Sequence, residues 1–308
     1  MEELLEYLNA SSLQLQTDIS KIENTYNEDM KRQSQVFGLS TALVLSMILL
    51  TACGSTPSNS MNAKNSMSSM STTSSKSTTS AGSAARGGGS YLDQVIPAQI
   101  LNLKLFDQNG KTFTLNSLKG KYVVISNFLT SCQEICPMTT STMRTIGDAV
   151  SRAKAESKVD VIEISVDAGR DSVSRLKGYF DLYSSHTFRV ASGSAPSLES
   201  LWQYFGAPAT RTDYTAKEKS ALPVDWQTGR PSEYDVSHPD LVLIIGPDSH
   251  WKWLDLGNPN PGKAQIPTKL KAFLSEDGRS NLAKPQEPSW TAEAVYSALK
   301  DLAGIHLA

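Results

Sequence analysis

The fold class this sequence predicts is α/β: a central mixed sheet flanked by helices, with an N-terminal β-hairpin, carried behind a disordered N-terminal tether. Three observations lead there. Apolar, β-branched runs of strand length stand at residues 122–126, 159–166 and 240–246. Between the first two, and again after the second, apolar residues recur every three or four positions, as a helix facing a sheet requires. From residue 54 to residue 90 there is no Leu, Ile, Val or aromatic residue, so that stretch has too little apolar surface to offset chain entropy.

Taken in order, residues 1–29 hold seven acids against one base, Lys21. Met30-Lys31-Arg32 then precedes a 15-residue apolar run, residues 36–50, which ends in Leu50-Thr51-Ala52-Cys53-Gly54. A cationic start, an apolar run shorter than the ~20 residues of a spanning helix and a small-residue site form the pattern of a secretory signal. Leu50-Thr51-Ala52-Cys53 resembles the bacterial lipobox, which implies a lipid on Cys53 and translation from Met30, leaving residues 1–29 a mis-called start. A plain anchoring helix with a cytoplasmic tail is the alternative. Both readings put the folded part, residues 91–308, outside the cytoplasmic membrane.

The Ser/Thr/Gly-rich residues 54–90 read as a flexible linker, with Met61, Met67 and Met70 as inert spacer positions. The folded part then opens on residues 100–106, which alternate as a half-buried strand, and Asn109-Gly110 turns the chain toward a partner strand at 111–115. The strand at 122–126 runs into Cys132-Gln133-Glu134-Ile135-Cys136-Pro137, and a helix over 138–155 carries Met143, Ile146, Val150 and Ala153 on one side. A strand at 159–166, a helix from Ser172, a strand at 188–191 and a helix over 195–205 continue the alternation. Residues 206–237 break it as a polar surface loop or hairpin to which no chemistry is assigned. A hairpin of 240–246 and 251–256, then covering helices at 268–275 and 291–303, complete the chain.

A net charge of −2 offers no basic patch, so nucleic acid is excluded as a partner. Of three cysteines, Cys132 and Cys136 are the two in the folded part. They sit where a strand ends and a helix begins, and the free N–H groups and dipole there stabilise thiolate, the form that attacks disulfides and binds soft metals. With no second cysteine pair, a structural zinc site is excluded. Of the histidines, His186, His250 and His306 read as exposed, whereas His238 precedes a strongly buried strand. No Ser/His/Asp grouping suggests a hydrolase.

The hairpin, the buried strand, Cys-x-x-x-Cys-Pro, the helix and then Ile164-Ser165-Val166-Asp167 with Arg170-Asp171 resemble the Sco/SenC family of copper chaperones. Ala191-Ser192-Gly193-Ser194, Tyr204-Phe205-Gly206 and a histidine upstream of Leu243-Ile244-Ile245-Gly246-Pro247-Asp248 extend the resemblance over residues 100–256. It implies a thioredoxin-like fold and a copper-ligand set at Cys132, Cys136 and His238, taking Cu(I) and accepting Cu(II), with no evident fourth ligand. It also implies a membrane-tethered metallochaperone that serves the copper-containing subunit of cytochrome c oxidase. The alternative is a thiol-disulfide oxidoreductase using Cys132 and Cys136 as its redox pair.

Overall fold

The computed structural model describes residues 88–308 except His186, Pro223 and Pro288. The expected acidic leader, the signal segment ending at Cys53 and nearly all of the 54–90 linker lie outside the described residues. Among the described residues no helix is long and apolar enough to cross a membrane.

The chain enters as β1 (Ser90–Val95), followed by α1 (Ala98–Leu101), β2 (Leu105–Asp107), β3 (Thr112–Phe113) and a 3₁₀ turn at Leu115–Leu118. Next come β4 (Tyr122–Phe128), α2 (Cys136–Arg152), β5 (Val159–Ser165), α3 (Val173–Asp181), β6 (Arg189–Gly193) and α4 (Ala195–Tyr204). A side excursion supplies β7 (Thr210–Asp213), α5 (Ala216–Ala221) and β8 (Tyr234–Ser237). The remainder is β9 (Leu241–Ile245), β10 (His250–Leu256), β11 (Asn258–Pro259), α6 (Thr268–Phe273), α7 (Glu276–Ala283), β12 (Ser289–Trp290) and α8 (Ala292–Ala303).

Eight strands make the main sheet in the order β1-β10-β9-β4-β5-β6-β2-β3. β4, β5 and β6 run parallel, as strands joined by helical crossovers must, while β9 joins β4 antiparallel and β10 returns by a hairpin. β4 is buried from Val123 to Phe128 and β9 is buried throughout. A central strand with both side-chain directions covered reads as an unbroken apolar run, which is why these two strands were legible in sequence. The parallel core with its antiparallel hairpin is the thioredoxin-like sheet that was expected.

Three expectations are corrected. Residues 100–106 do not form one strand. Pro97 leads into the helical turn α1, Asn102 closes it, and the strand is confined to Leu105–Asp107. Ile100 and Leu101 are adjacent and both buried, which a helical turn permits and a one-sided strand does not. β1 was not anticipated because it is an edge strand with an exposed, irregular pattern, held by pairing to β10 and by Asp93, which lies 2.7 Å from both Lys252 Nζ and His250 Nδ1. His250 is therefore half-buried and partnered rather than a free hairpin tip. Thirdly, the 206–237 excursion is a hairpin-like pair of β7 with β8, as one reading had it, but it is not wholly at the surface, since Asp225, Trp226 and Tyr234 are buried.

Helix α2 packs closely on the chain that precedes β6. A Cβ built on Gly147 would lie 2.5 Å from the Thr187 carbonyl oxygen, a backbone atom that cannot swing aside. In an open helix Gly→Ala gains about 1 kcal/mol, but overpacking costs about 1–3 kcal/mol, so contact outweighs propensity. Gly147→Ala is expected to lower Tm by several degrees in a thermal melt followed by circular dichroism. A raised Tm would show that this approach is not tight.

Candidate thiol and metal centre

Cys132 stands in the loop after β4, and Cys136 is the first residue of α2, with Pro137 in its first turn. No side chain caps this helix. The Cys132 sulfur takes that place, accepting the Cys136 N–H at 3.4 Å. Cys136 Sγ in turn accepts the Leu129 N–H at 3.5 Å. Both thiols are free, Cys132 partly exposed and Cys136 fully buried.

Their acidities are driven apart. A hydrogen bond from the Cys136 thiol, joined by the backbone N–H groups of Cys136, Glu134 and Ile135, lowers the Cys132 pKa against the opposing effect of burial. Burial, followed by the neighbouring Cys132 and Asp240, pushes Cys136 well up. One sulfur is thus poised as a thiolate and its partner holds a proton.

The loop carrying Cys132 is gripped on two sides. Thr130 Oγ donates to Asp171 at 2.5 Å, and Asp171 also accepts the Ser165 hydroxyl at 2.6 Å. Arg175 donates to Thr130 Oγ at 2.5 Å and to Ser131 Oγ at 2.9 Å, and pairs with Asp225 through two hydrogen bonds. The Trp226 indole N–H donates to the Thr130 carbonyl at 2.7 Å, with the Arg175 guanidinium 5.2 Å from its ring. So the excursion read as chemically idle supplies two anchors for the thiol loop. From the other side, the Ser275 N–H donates to the Gln133 carbonyl at 2.9 Å, and a Cβ on Gly278 would lie 2.2 Å from that same oxygen.

His238 follows β8 and, with Cys132, lines a cleft of about 240 Å³. Its side chain is 5% exposed. Burial lowers its pKa, so the imidazole is neutral and has a lone pair for a metal. Asn127 Oδ1 accepts the Leu241 N–H at 3.3 Å, which turns Asn127 Nδ2 toward His238 Nδ1 at 3.0 Å and the Pro239 carbonyl at 2.7 Å. That carbonyl also lies 3.1 Å from His238 Nδ1. Nδ1 can accept from the Asn127 amide or donate to the Pro239 carbonyl, not both: the first places the ring proton on Nε2, and the second, which frees Nε2 for a metal, requires the Asn127 amide to give up its contact.

The structure brings the two cysteines together and sets His238 on the same cleft. The three ligand atoms do not all lie within 4.8 Å of one another. Among the described residues, the group that meets that spacing is Asp93, Asp248 and His250, where Lys252 Nζ already sits 2.7 Å from both carboxylates. That group is an ion-pair network on the edge strand. Sequence reasoning missed Asp240, which lines the thiol cleft beside Glu134, Asp235 and Asp277. Burial, then Cys132 and Glu134, push the Asp240 carboxyl up to about 8. Its proximity to His238 in the chain was the available signal. A larger cavity of about 430 Å³ shares Tyr234 and Val236 with the cleft but has no thiol or imidazole in its wall, so the smaller cleft carries the chemistry.

A thioredoxin-like sheet presenting a polarised Cys-x-x-x-Cys pair at a helix N-terminus defines a protein of dithiol chemistry, with a neutral histidine on the same cleft. The chain belongs to the SCO1/SenC family, whose family model matches residues 100–274, more than half its length. It is 29% identical over 152 residues to a protein of Stutzerimonas stutzeri provisionally named a copper-binding protein, the match covering 48% of this chain and 65% of that one. It is 31% identical over 93 residues to the SCO1 protein homolog of Bacillus subtilis, covering 30% of this chain and 47% of that one. These matches span less than two thirds of either relative. Among solved structures, copper-bound ScoI of Bradyrhizobium japonicum is 25% identical, with 56% of this chain and 97% of that chain covered and a TM-score of 0.41.

The lowered pKa of Cys132 means that thiolate is present below the ordinary thiol range, and the raised pKa of Cys136 means the reverse. Iodoacetamide is therefore expected to modify Cys132 at lower pH than an unperturbed thiol and at much lower pH than Cys136. Mass spectrometry of peptides alkylated between pH 6 and 10 measures both. Equal modification at every pH would contradict the polarisation. Removing the buried cation by Arg175→Gln strands Asp225 and Asp171, and is expected to cost about 3–5 kcal/mol in urea unfolding. The same variant should speed Cys132 alkylation in native buffer, because Thr130 and Ser131 lose their donor.

Proposed function

We propose that this protein is an extracytoplasmic copper-binding metallochaperone whose site is Cys132, Cys136 and His238. The observation that carries the reading is the sharing of one cleft by the Cys132 thiolate, with Cys136 hydrogen-bonded behind it, and a neutral imidazole, in a chain of the SCO1/SenC family. Two sulfurs and one nitrogen are the donor set that soft Cu(I) prefers, and hard ions gain little from them. Cys132 lines the cleft and offers the thiolate, and the buried Cys136 gives up its proton when its sulfur becomes the second donor. The exposed acids Glu134, Asp235 and Asp277 border the cleft and supply a negative field that favours a cation there.

The cargo's destination is proposed as the copper-containing subunit of cytochrome c oxidase, during assembly of its copper centre. In this reading Cys53 carries a lipid, the segment 54–90 supplies reach, and the folded unit faces the outer side of the cell membrane. The lipobox-like Leu50-Thr51-Ala52-Cys53 supports the anchor, and the apolar-poor composition of 54–90 supports the reach.

The split in thiol acidity favours a second reading, a thiol-disulfide oxidoreductase in which Cys132 attacks and Cys136 resolves. Anaerobic Cu(I) titration of the full-length protein separates the two. One equivalent is expected to bind. Cys132→Ser and Cys136→Ser should each weaken binding by more than about 100-fold, and His238→Ala by at least about 10-fold, since outer-shell partners alone are worth about 10–100-fold. Failure of the wild type to bind, together with catalysis of dithiol exchange, would replace the chaperone reading by the oxidoreductase one.

A further inference from the structure

The carboxyl group of Asp240 has no role in the three-ligand reading, yet its position invites one. Asp240 Oδ1 is sealed from solvent and has no hydrogen-bond partner. The nearest cation-capable atom, His238 Nδ1, is 3.7 Å away, beyond hydrogen-bonding distance. An unpaired buried oxygen of this kind is destabilising, so its retention calls for an explanation. The carboxyl lines the same cleft as Cys132 and His238, and both cysteines lie within electrostatic reach of it. Its backbone is fixed at the end of the main sheet, where the Asp240 carbonyl accepts the Gly257 N–H at 2.9 Å and the next residue, Leu241, is tied to Asn127.

We propose that Asp240 is a fourth ligand to the metal, an oxygen donor that equips the cleft to hold Cu(II) as well as Cu(I). This rests on the copper reading of Cys132, Cys136 and His238. The two oxidation states ask for different things. Cu(I) is satisfied by soft donors at low coordination number, and two thiolates with an imidazole suffice. Cu(II) takes a tetragonal set in which nitrogen and oxygen donors are favoured, and three ligands leave it one short. A carboxylate is harder than a thiolate and adds negative charge, so it stabilises the divalent ion far more than the monovalent one. Glu134, Asp235 and Asp277 also border the cleft, but all three are exposed to water. Asp240 alone among these four acids combines a sealed, unpartnered oxygen with a place beside His238. In this arrangement the protein can accept copper in either state, and the soft and hard donors share the discrimination between them.

The test uses the full-length protein and copper alone as the probe. Cu(I) and Cu(II) dissociation constants are measured anaerobically by competition with chelators of known affinity, for the wild type, Asp240→Asn and Asp240→Ser, with the electron paramagnetic resonance spectrum of the Cu(II) form recorded in each case. Asp240→Asn keeps the shape and removes the anionic donor, and Asp240→Ser guards against an amide oxygen that still ligates. Both variants are expected to weaken Cu(II) by at least tenfold and to change its spectrum, with Cu(I) affinity within about threefold of wild type. A tenfold selective loss corresponds to a rise of about 59 mV in the one-electron potential of the bound ion. Unchanged Cu(II) affinity and spectrum in both variants would overturn the proposal while leaving the three-ligand site standing. Equal losses for both ions would also overturn it, because they mark a general structural role. A wild type that binds neither ion would overturn the underlying copper reading instead.

Discussion

The grip on the backbone at Thr130 and Ser131 is what the rest of the site depends on. Both residues belong to the short connection between β4 and α2, and such a connection has no ladder of its own to fix it. Here Asp171 and Arg175, from either side of the start of α3, and Trp226, from the excursion, converge on its polar atoms. Asp171 and Arg175 are charged and buried, and each is paired, since an isolated buried charge would not survive desolvation. Ser275 and Gly278 close the same connection from the opposite side. With the loop fixed, the Cys132 sulfur stays over the N-terminus of α2 and receives its free N–H groups.

That placement explains the contrast between two thiols separated by only three intervening residues. The first faces donors and partial solvent, the second faces apolar neighbours and the negative field of the first. Metal transfer and disulfide exchange both begin from this asymmetry, because each needs one ready nucleophile and one group held in reserve. The histidine adds a bias toward metal. A neutral imidazole stands on the same cleft as Cys132, where a disulfide-exchanging dithiol has no evident need of it.

Much of the fold was legible because its central strands are buried on both faces. β4, β5 and β9 are mostly apolar, β5 less so with Asp160 and the buried Glu163, and the helices between them repeat at helical spacing. The edges were less legible. β1 has no buried face to write a pattern, and α1 hides in a run whose apolar residues fit a strand or a turn equally. The excursion between α4 and β9 was the largest misjudgement. Its polar composition reflects a mostly solvated hairpin, while the few residues that matter, Asp225 and Trp226, act through single contacts to Thr130 and Arg175 that leave no periodic trace.

By itself the sequence determined which atoms could do chemistry: two thiols at a strand-to-helix junction, spaced by three residues, and one histidine before a buried strand. Local backbone physics suffices for that, since helix termini and buried strands are short-range features. The tertiary structure decided how those atoms are conditioned. It set the two thiol acidities apart, turned His238 through Asn127, and brought the unpaired Asp240 oxygen to the cleft. Burial under distant segments and the contact of Asn127 with His238, 111 positions away, lie behind these effects, and no local pattern encodes which distant side chain will fill a particular volume.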